Sequence, residues 1–508
     1  MRDRYFLLIL CALVVVAEIP FAEYITDDTF IHLQFARNLV SGKGLSFNPG
    51  EPTYGFTSPL WVFLISLGGL LGGELLLVSK ILGAAALIAC SVFFYLLMLR
   101  VTSDRFLSRA AALVWVLNAW SVRWGLSGME TALVTAWVVA SLYFFAREAE
   151  SGVLRLSPWV LALASLVRPE AVALPLVCGG GALVRRRPGA ARFTALLLAP
   201  FVCVSALWFG FALALFGRLT PNTVAVKAGR FISPERVVEG SVVVAKIVGA
   251  TNAPEVLLAA AVILTALLMR RRLGPLTSFH LAAVAWLVLL PAAYVLRDVQ
   301  IVSRYLVPVL PLLVLYGFLS VRWLVGTGRR SVALLRPVAG FVAAVCMLLN
   351  VALLAFVAYP HTHSFTRDMK ASLIHLGTWF SNNTPPGTSV AIPDIGAFAY
   401  YSGREVVDLG GLVTPAMIPI LREHELDEVL TRFLFANVTR PEYVVDRARK
   451  SRRLLEVEGL YPGLEPLVEA SVSNLGITRP GTYFYTAYRV HWDRLSPGGL
   501  ASEGPAPQ

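Results

Sequence analysis

Apolar runs close to membrane-crossing length recur through residues 1–359, and they constrain this chain more than any other feature. A helix needs about 20 apolar residues to cross a hydrocarbon core about 30 Å thick. Within that core every backbone N–H and C=O must pair inside the protein, so such runs fold as helices. Eleven runs are read: residues 5–21, 75–99, 106–120, 131–146, 158–167, 171–184, 193–216, 256–269, 278–296, 305–325 and 337–359. The pair 158–167 and 171–184 is short and reads equally as one broken span. The predicted fold class is a polytopic α-helical membrane protein of about 11 transmembrane helices. Composition agrees, with 56% of residues hydrophobic and 15% charged, where a soluble domain has about 25% charged. A single soluble globule and a disordered chain are both excluded.

Charge supplies the orientation. The formal net charge is +12, yet residues 360–508 carry 14 Lys+Arg against 16 Asp+Glu. The excess sits in short Arg clusters between apolar runs. That is the positive-inside signature of a multi-pass protein, not a nucleic-acid surface. With a cytoplasmic N-terminus and the first run as a signal anchor, alternation puts 18 basic and 4 acidic residues inside. The remainder before residue 360 holds 12 of each. This parity requires residues 58–72, apolar but about 15 long, to lie along the outer interface as a helix. The outer side then collects the first loop 23–74, the turns 121–130 and 168–170, the loop 217–255 and the turn 297–304. Residues 1–359 form the membrane domain. Residues 360–496 have soluble composition, turn signals and a strand-like run at 389–392, and predict an extracytoplasmic α/β domain. Residues 497–508 read as a disordered tail. The five cysteines lie in apolar runs and read as small core residues.

The polar residues in this apolar setting are the functional candidates. Asp27 and Asp28 follow the first span as adjacent carboxylates. A helix N-cap by Asp28, a catalytic role and a metal site are all open. Glu130 ends a span, and Arg168-Pro169-Glu170 separates two short apolar runs. Ionisable groups there mark function by default, although a structural Arg–Glu pair is the plain alternative. Tyr54, near Asn48, suits a membrane belt or stacking on a sugar. The loop 217–255 opens near Asn222 and carries Lys227 and Arg230; these cations, with Arg297 and Arg304 in the last outer turn, run against the positive-inside trend. An anionic headgroup or ordinary interfacial arginine would explain them. There is no Walker A, GxGxxG, HExxH or GxSxG motif. His361 and His363 form only a sparse pair for a metal. No cofactor is called for, and metal dependence stays open.

Read together, these residues resemble a known family. Asp27-Asp28-Thr29-Phe30-Ile31-His32, Ala36-Arg37-Asn38-Leu39, Gly44 through Glu51, and Tyr54-Gly55-Phe56-Thr57 resemble the first outer loop of GT-C integral-membrane glycosyltransferases. The nearest branch is the terminal arabinofuranosyltransferase-like one; protein O-mannosyltransferases and aminoarabinose transferases are more distant. Gly128-Met129-Glu130-Thr131, Leu166 through Glu170, Pro221-Asn222-Thr223 with Lys227, and Arg304 through Pro311 resemble later blocks in order. Asp394 through Gly403 and Asp408 through Leu412 resemble the outer C-terminal segment. The resemblance implies a GT-C fold, a polyprenyl-phosphate sugar donor, inverting transfer and an active site facing outward at the plasma membrane. It makes Asp27, with Asp28 beside it, the general base and Glu130 the second outer acid. Arg168, Lys227, Arg304 and Arg297 become donor or phosphate contacts. Tyr54, Asn48, Asn222 and Glu170 become contacts to the sugar or acceptor. Leu296 through Gln300 and Phe56-Thr57-Ser58 depart from the branch's usual residues, so the sugar and the acceptor stay unassigned.

The expected reaction moves a sugar to a cell-envelope glycan, lipid or protein. Cations neutralise the leaving phosphate while a carboxylate takes the acceptor proton. The rival is a lipid or sugar carrier without transferase activity, which the broken segment around Arg168 would suit.

Overall fold

The computed structural model describes residues 3–184, 189–227, 233–268, 277–326, 329–476 and 480–495. The protein is a multi-pass helical bundle topped by a small α/β domain. Among the described residues, eight helices are long and apolar enough to cross a membrane: Asp3–Phe21, Leu75–Thr102, Thr131–Ser151, Ala190–Phe216, Pro234–Ala260, Thr277–Leu296, Ser303–Val325 and Ala333–Asn383.

The other three expected spans are shorter pieces. Residues 106–120 divide between helices Arg105–Val116 and Ala119–Gly125, where the Asn118 side chain accepts from Ser121 N–H and caps the second helix. Residues 158–184 break at Arg168, whose backbone is extended (φ −165°) ahead of Pro169. A residue before proline is pushed out of the helical region. The loop expected at 217–255 is largely helix, since Pro234–Leu268 begins inside it. Glu235, Arg236, Glu239 and Lys246 interrupt the apolar run there, but Arg236, Glu239 and Lys246 face a cavity. Hydropathy alone therefore misplaced the start of that helix. It bends at Asn252 (φ −128°), two residues before Pro254.

Residues 27–40 form helix Asp27–Val40. Its N-cap is Thr26, whose hydroxyl accepts from Thr29 N–H at 3.3 Å. Asp28 is thus not the cap, and both carboxylates are left for other contacts. Residues 58–72 contain helix Pro59–Leu70, 12 residues long. That is about 18 Å, well short of a crossing. Trp61 is fully buried, and its indole N–H donates to Gly128 O at 3.1 Å, so it is a core residue here. Of the five free cysteines, Cys90, Cys178 and Cys346 are buried, Cys11 is half-buried and Cys203 is exposed.

The helix from Ala333 runs through two wide π-type turns to Asn383, 51 residues in all. It carries the chain out of the bundle into the α/β domain without a loop. Strands β1 (Ser389–Ile392), β2 (Glu405–Asp408), β3 (Tyr443–Ala448), β4 (Leu464–Asn474) and β5 (Pro480–Val490) form one sheet in the order β2-β1-β3-β5-β4. The β1 pairings to β2 and β3 are parallel, and β5 pairs antiparallel with β3 and β4. Side chains alternate between the faces. Val390, Ile392, Val406, Val445 and Tyr485 pack on one face with Phe30, Phe35, Phe47 and Phe56 of the first loop. Ala391, Val407, Val444 and Tyr488 pack on the other with Leu434 and Phe435. Burying a side chain of this size is worth roughly 1.5–3 kcal/mol. The first loop and the α/β domain therefore share one core, and the site lies at their border with the bundle.

Candidate active site

Two cavities meet at the start of helix Asp27–Val40. The larger has a volume of about 870 Å³ and is lined by Asp27, Asp28, Arg123, Trp124, Arg304 and Asp394 among others. The smaller, about 50 Å³, is lined by Asp28, His32, Glu130, Arg168, Thr223 and Arg304, with Phe56 and Tyr305 also on its wall. Asp28 and Arg304 line both, and their ion pair forms the partition.

Asp27 is fixed by the α/β domain. Its carboxylate accepts from Gly396 N–H at 3.0 Å and Ala397 N–H at 2.8 Å, at the start of helix Gly396–Ser402. A Cβ at position 396 would overlap the Asp27 carbonyl oxygen, so only glycine allows this approach. Burial, then the negative charges of Asp394 and Asp28, outweigh the two amide hydrogen bonds and raise the Asp27 pKa to about 7. Asp394 follows β1 and accepts from Arg447 at 2.5 Å and Tyr485 O–H at 2.6 Å. Arg447 and Tyr485 are paired across β3 and β5, which sets both donors side by side.

Arg304 lies between the rings of Trp124 (5.7 Å) and Tyr305 (5.2 Å), and its side chain is 11% exposed. Arg123 is also buried and lies over Trp124 at 5.3 Å and Tyr24 at 5.7 Å. Aromatic faces stabilise a desolvated guanidinium electrostatically. Both cations thereby stay in an apolar wall facing the large cavity.

Glu130 and Arg168 pair at 3.3 Å, and Arg168 meets Glu170 at 2.6 Å. The Tyr294 hydroxyl donates to Glu170. Burial by itself would raise the Glu130 pKa, but the charges of Arg168 and Arg304 hold it below the usual range.

The remaining candidates lie elsewhere. Asn48 exchanges two hydrogen bonds with the backbone of Val406, at 2.9 and 3.0 Å, and ties the first loop to β2. The Tyr54 hydroxyl accepts from Trp208 Nε1–H at 2.9 Å and the ring stacks on Phe216. Asn222 donates to Leu412 O at 3.0 Å. These three side chains are buried and hold loops together rather than lining either cavity. Arg297 is exposed and outside both linings. Lys227 ends helix Asn222–Lys227; its side chain, like Arg230, lies outside the described residues. His361 sits 3.4 Å from Arg123. Among the described residues, no three His, Cys, Asp or Glu side chains are grouped as a metal would need.

Sequence reading missed Asp394, Arg123 and His32 as site residues. Two of them carried a signal. Asp394 directly follows a strand with a parallel partner, where α/β sheets place ligand contacts. Arg123 interrupts an apolar run beside two tryptophans.

Solved structures share this architecture. ArnT from Cupriavidus metallidurans bound to undecaprenyl phosphate matches with a TM-score of 0.59 at 13% identity, covering 100% of both chains. The Archaeoglobus fulgidus oligosaccharyltransferase in its apo form matches with a TM-score of 0.56 at 14% identity, covering 98% of this chain and 75% of that one. The chain carries the GT-C fold. A terminal beta-(1→2)-arabinofuranosyltransferase of Mycobacterium tuberculosis is 29% identical over 223 residues. That match covers 40% of this chain, which spans 35% of the length of that relative. A family model described as a domain of unknown function (DUF8728) matches residues 363–492, the α/β domain with the end of the helix entering it. The Asp27–Gly396 contact thus joins a GT-C first loop to that domain.

Proposed function

We propose that this protein is a membrane glycosyltransferase. It moves a sugar from a polyprenyl-phosphate donor to a hydroxyl of a glycan, lipid or protein acceptor, with inversion. The observation that carries this reading is the meeting, in one cavity of a GT-C fold, of Asp27, Asp28 and Asp394 with the caged cations Arg304 and Arg123. Similarity to an arabinofuranosyltransferase makes a polyprenyl-phosphoryl arabinose the first donor to test.

In this mechanism the acceptor oxygen attacks the anomeric carbon from the face opposite the phosphate. Asp27 takes its proton; a base with a pKa of about 7 suits neutral pH. The bond from the anomeric carbon to the phosphate oxygen breaks, and its electrons stay on the phosphate. Arg304 and Arg123 stabilise that charge in a site of low dielectric. Asp28 holds Arg304 in place, and Glu130 does the same for Arg168. Val243, Ile247 and Val295 along the large cavity offer an apolar track for the prenyl chain. The site and the α/β domain face outward, the N-terminus is cytoplasmic, and helix Pro59–Leu70 lies along the outer interface. We favour this reading over the carrier alternative, since Arg168 at the broken segment is engaged with Glu130 and Glu170 beside the small cavity.

The test is transfer from polyprenyl-phosphoryl arabinose by the reconstituted full-length protein. Asp27→Asn is expected to lower kcat about 10²–10⁴-fold with the fold intact. Full activity in that variant would remove Asp27 as the base.

A further inference from the structure

Besides the Nε atoms of Arg168 and Arg304, three buried polar atoms on residues of the small cavity wall have no hydrogen-bond partner among the described residues: His32 Nε2, Glu130 Oε2 and Thr223 Oγ1. Their residues are 4%, 2% and 8% exposed. Unpaired buried polar atoms are rare in folded proteins and call for an explanation. The tautomer of His32 sharpens the demand. Its Nδ1 lies 3.2 Å from the Asp28 carbonyl oxygen, which only accepts, so Nδ1 carries the proton and Nε2 presents a lone pair. Burial holds this imidazole below its usual pKa against the pull of Glu130, which keeps it neutral.

Nε2 of His32 and Oε2 of Glu130 therefore stand 4.0 Å apart as two acceptors. They need donors between them. Thr223 adds a hydroxyl that gives or takes a hydrogen bond. The rings of Phe56 and Tyr305 supply apolar wall on the same cavity. Its volume of about 50 Å³ exceeds the roughly 10–15 Å³ that one water requires. Two O–H donors on neighbouring carbons, flanked by C–H surface, are the diol edge of a sugar.

We propose that the small cavity is a sugar-hydroxyl subsite, in which Glu130, His32 and Thr223 hold adjacent hydroxyls on the far side of the Asp28–Arg304 partition. The proposal rests on the transferase reading only for the sugar's origin, donor or acceptor. Recognition of the diol is the same in either case.

Free-sugar binding tests it without turnover. The full-length protein in lipid nanodiscs is titrated by saturation-transfer NMR with methyl arabinofuranoside and methyl mannopyranoside, each beside its 2-deoxy counterpart. At least one glycoside should bind, with its deoxy form about tenfold weaker. Thr223→Val, nearly isosteric, should weaken binding about 3- to 10-fold, and Glu130→Gln about tenfold or more, erasing the deoxy penalty. The distant Arg432→Ala should bind as the parent does. Unchanged binding and unchanged deoxy discrimination in both subsite variants would overturn the proposal. So would a folded parent that binds neither glycoside, leaving a water-filled pocket only. Prior loading with polyprenyl-phosphoryl arabinose assigns the source: displacement marks the donor's sugar, and simultaneous binding marks the acceptor's. A protein that binds the glycosides but never transfers sugar sinks the transferase reading and leaves the subsite standing.

Discussion

Asp27 and Asp28 are neighbours in sequence with different surroundings. Asp27 accepts two backbone amides and lines the large cavity together with Asp394, while Asp28 pairs with Arg304. Burial and like charge raise Asp27, so its ionised fraction falls as pH drops through about 7. A base must be ionised to act. A plot of kcat/KM against pH should therefore show an acidic limb, losing about tenfold per unit below an apparent pKa near 7. A profile flat from pH 5 to 8 would exclude Asp27 as the titrating base. Arg304 has the complementary role. Arg304→Ala should lower kcat/KM about 10²–10³-fold. Arg304→Lys should recover only part of it, because an ammonium lacks the planar fork held between Trp124 and Tyr305.

At the scale of elements, short contacts between backbone segments position these groups. Helix Gly396–Ser402 meets helix Asp27–Val40 so closely that a methyl group on Gly396 has no room. Gly396→Ala should force the two helices apart and cost about 1–3 kcal/mol of stability. Activity should fall further than stability does, because Asp27 moves with its helix. Thermal unfolding and transfer measured on one preparation would separate the two effects. Gly55 repeats the arrangement at the small cavity, where a Cβ would sit 2.6 Å from Val413 and 3.0 Å from Leu412 O. Helix Pro234–Leu268 shows why element boundaries escaped hydropathy. Arg236, Glu239 and Lys246 in its first turns line a cavity, so a window that treats every charge as a break starts the helix too late. The α/β domain was readable at 389–392 because a strand with flanking turns is a local pattern. Its order β2-β1-β3-β5-β4 is not local.

For the whole molecule, the Arg distribution predicts which side each end faces. Leu71, at 82% exposed, and Tyr461, at 66%, belong to the expected outer side, and Val153, at 54%, to the inner. With Cys203 replaced by Ala, Leu71→Cys and Tyr461→Cys should react with a membrane-impermeant thiol reagent on intact cells. Val153→Cys should react only after permeabilisation. The reverse pattern would invert the topology and move the cavity to the cytoplasmic side. The membrane character, the short helix at 59–70, the α/β domain and the GT-C resemblance were all open to a reader of the chain. Hydropathy, charge and motif spacing are properties of neighbouring residues, and they need no knowledge of what packs against them. Tertiary structure alone decided that Thr26 caps the first-loop helix, and that Asn48, Tyr54 and Asn222 bind loops instead of lining a cavity. It also decided that Asp27 meets an amide 369 residues away, and that His32, Glu130 and Thr223 converge. The physical reason is one of range. Local sequence sets which segments leave water, but the partner of a buried polar group is chosen by whichever distant segment shares its core.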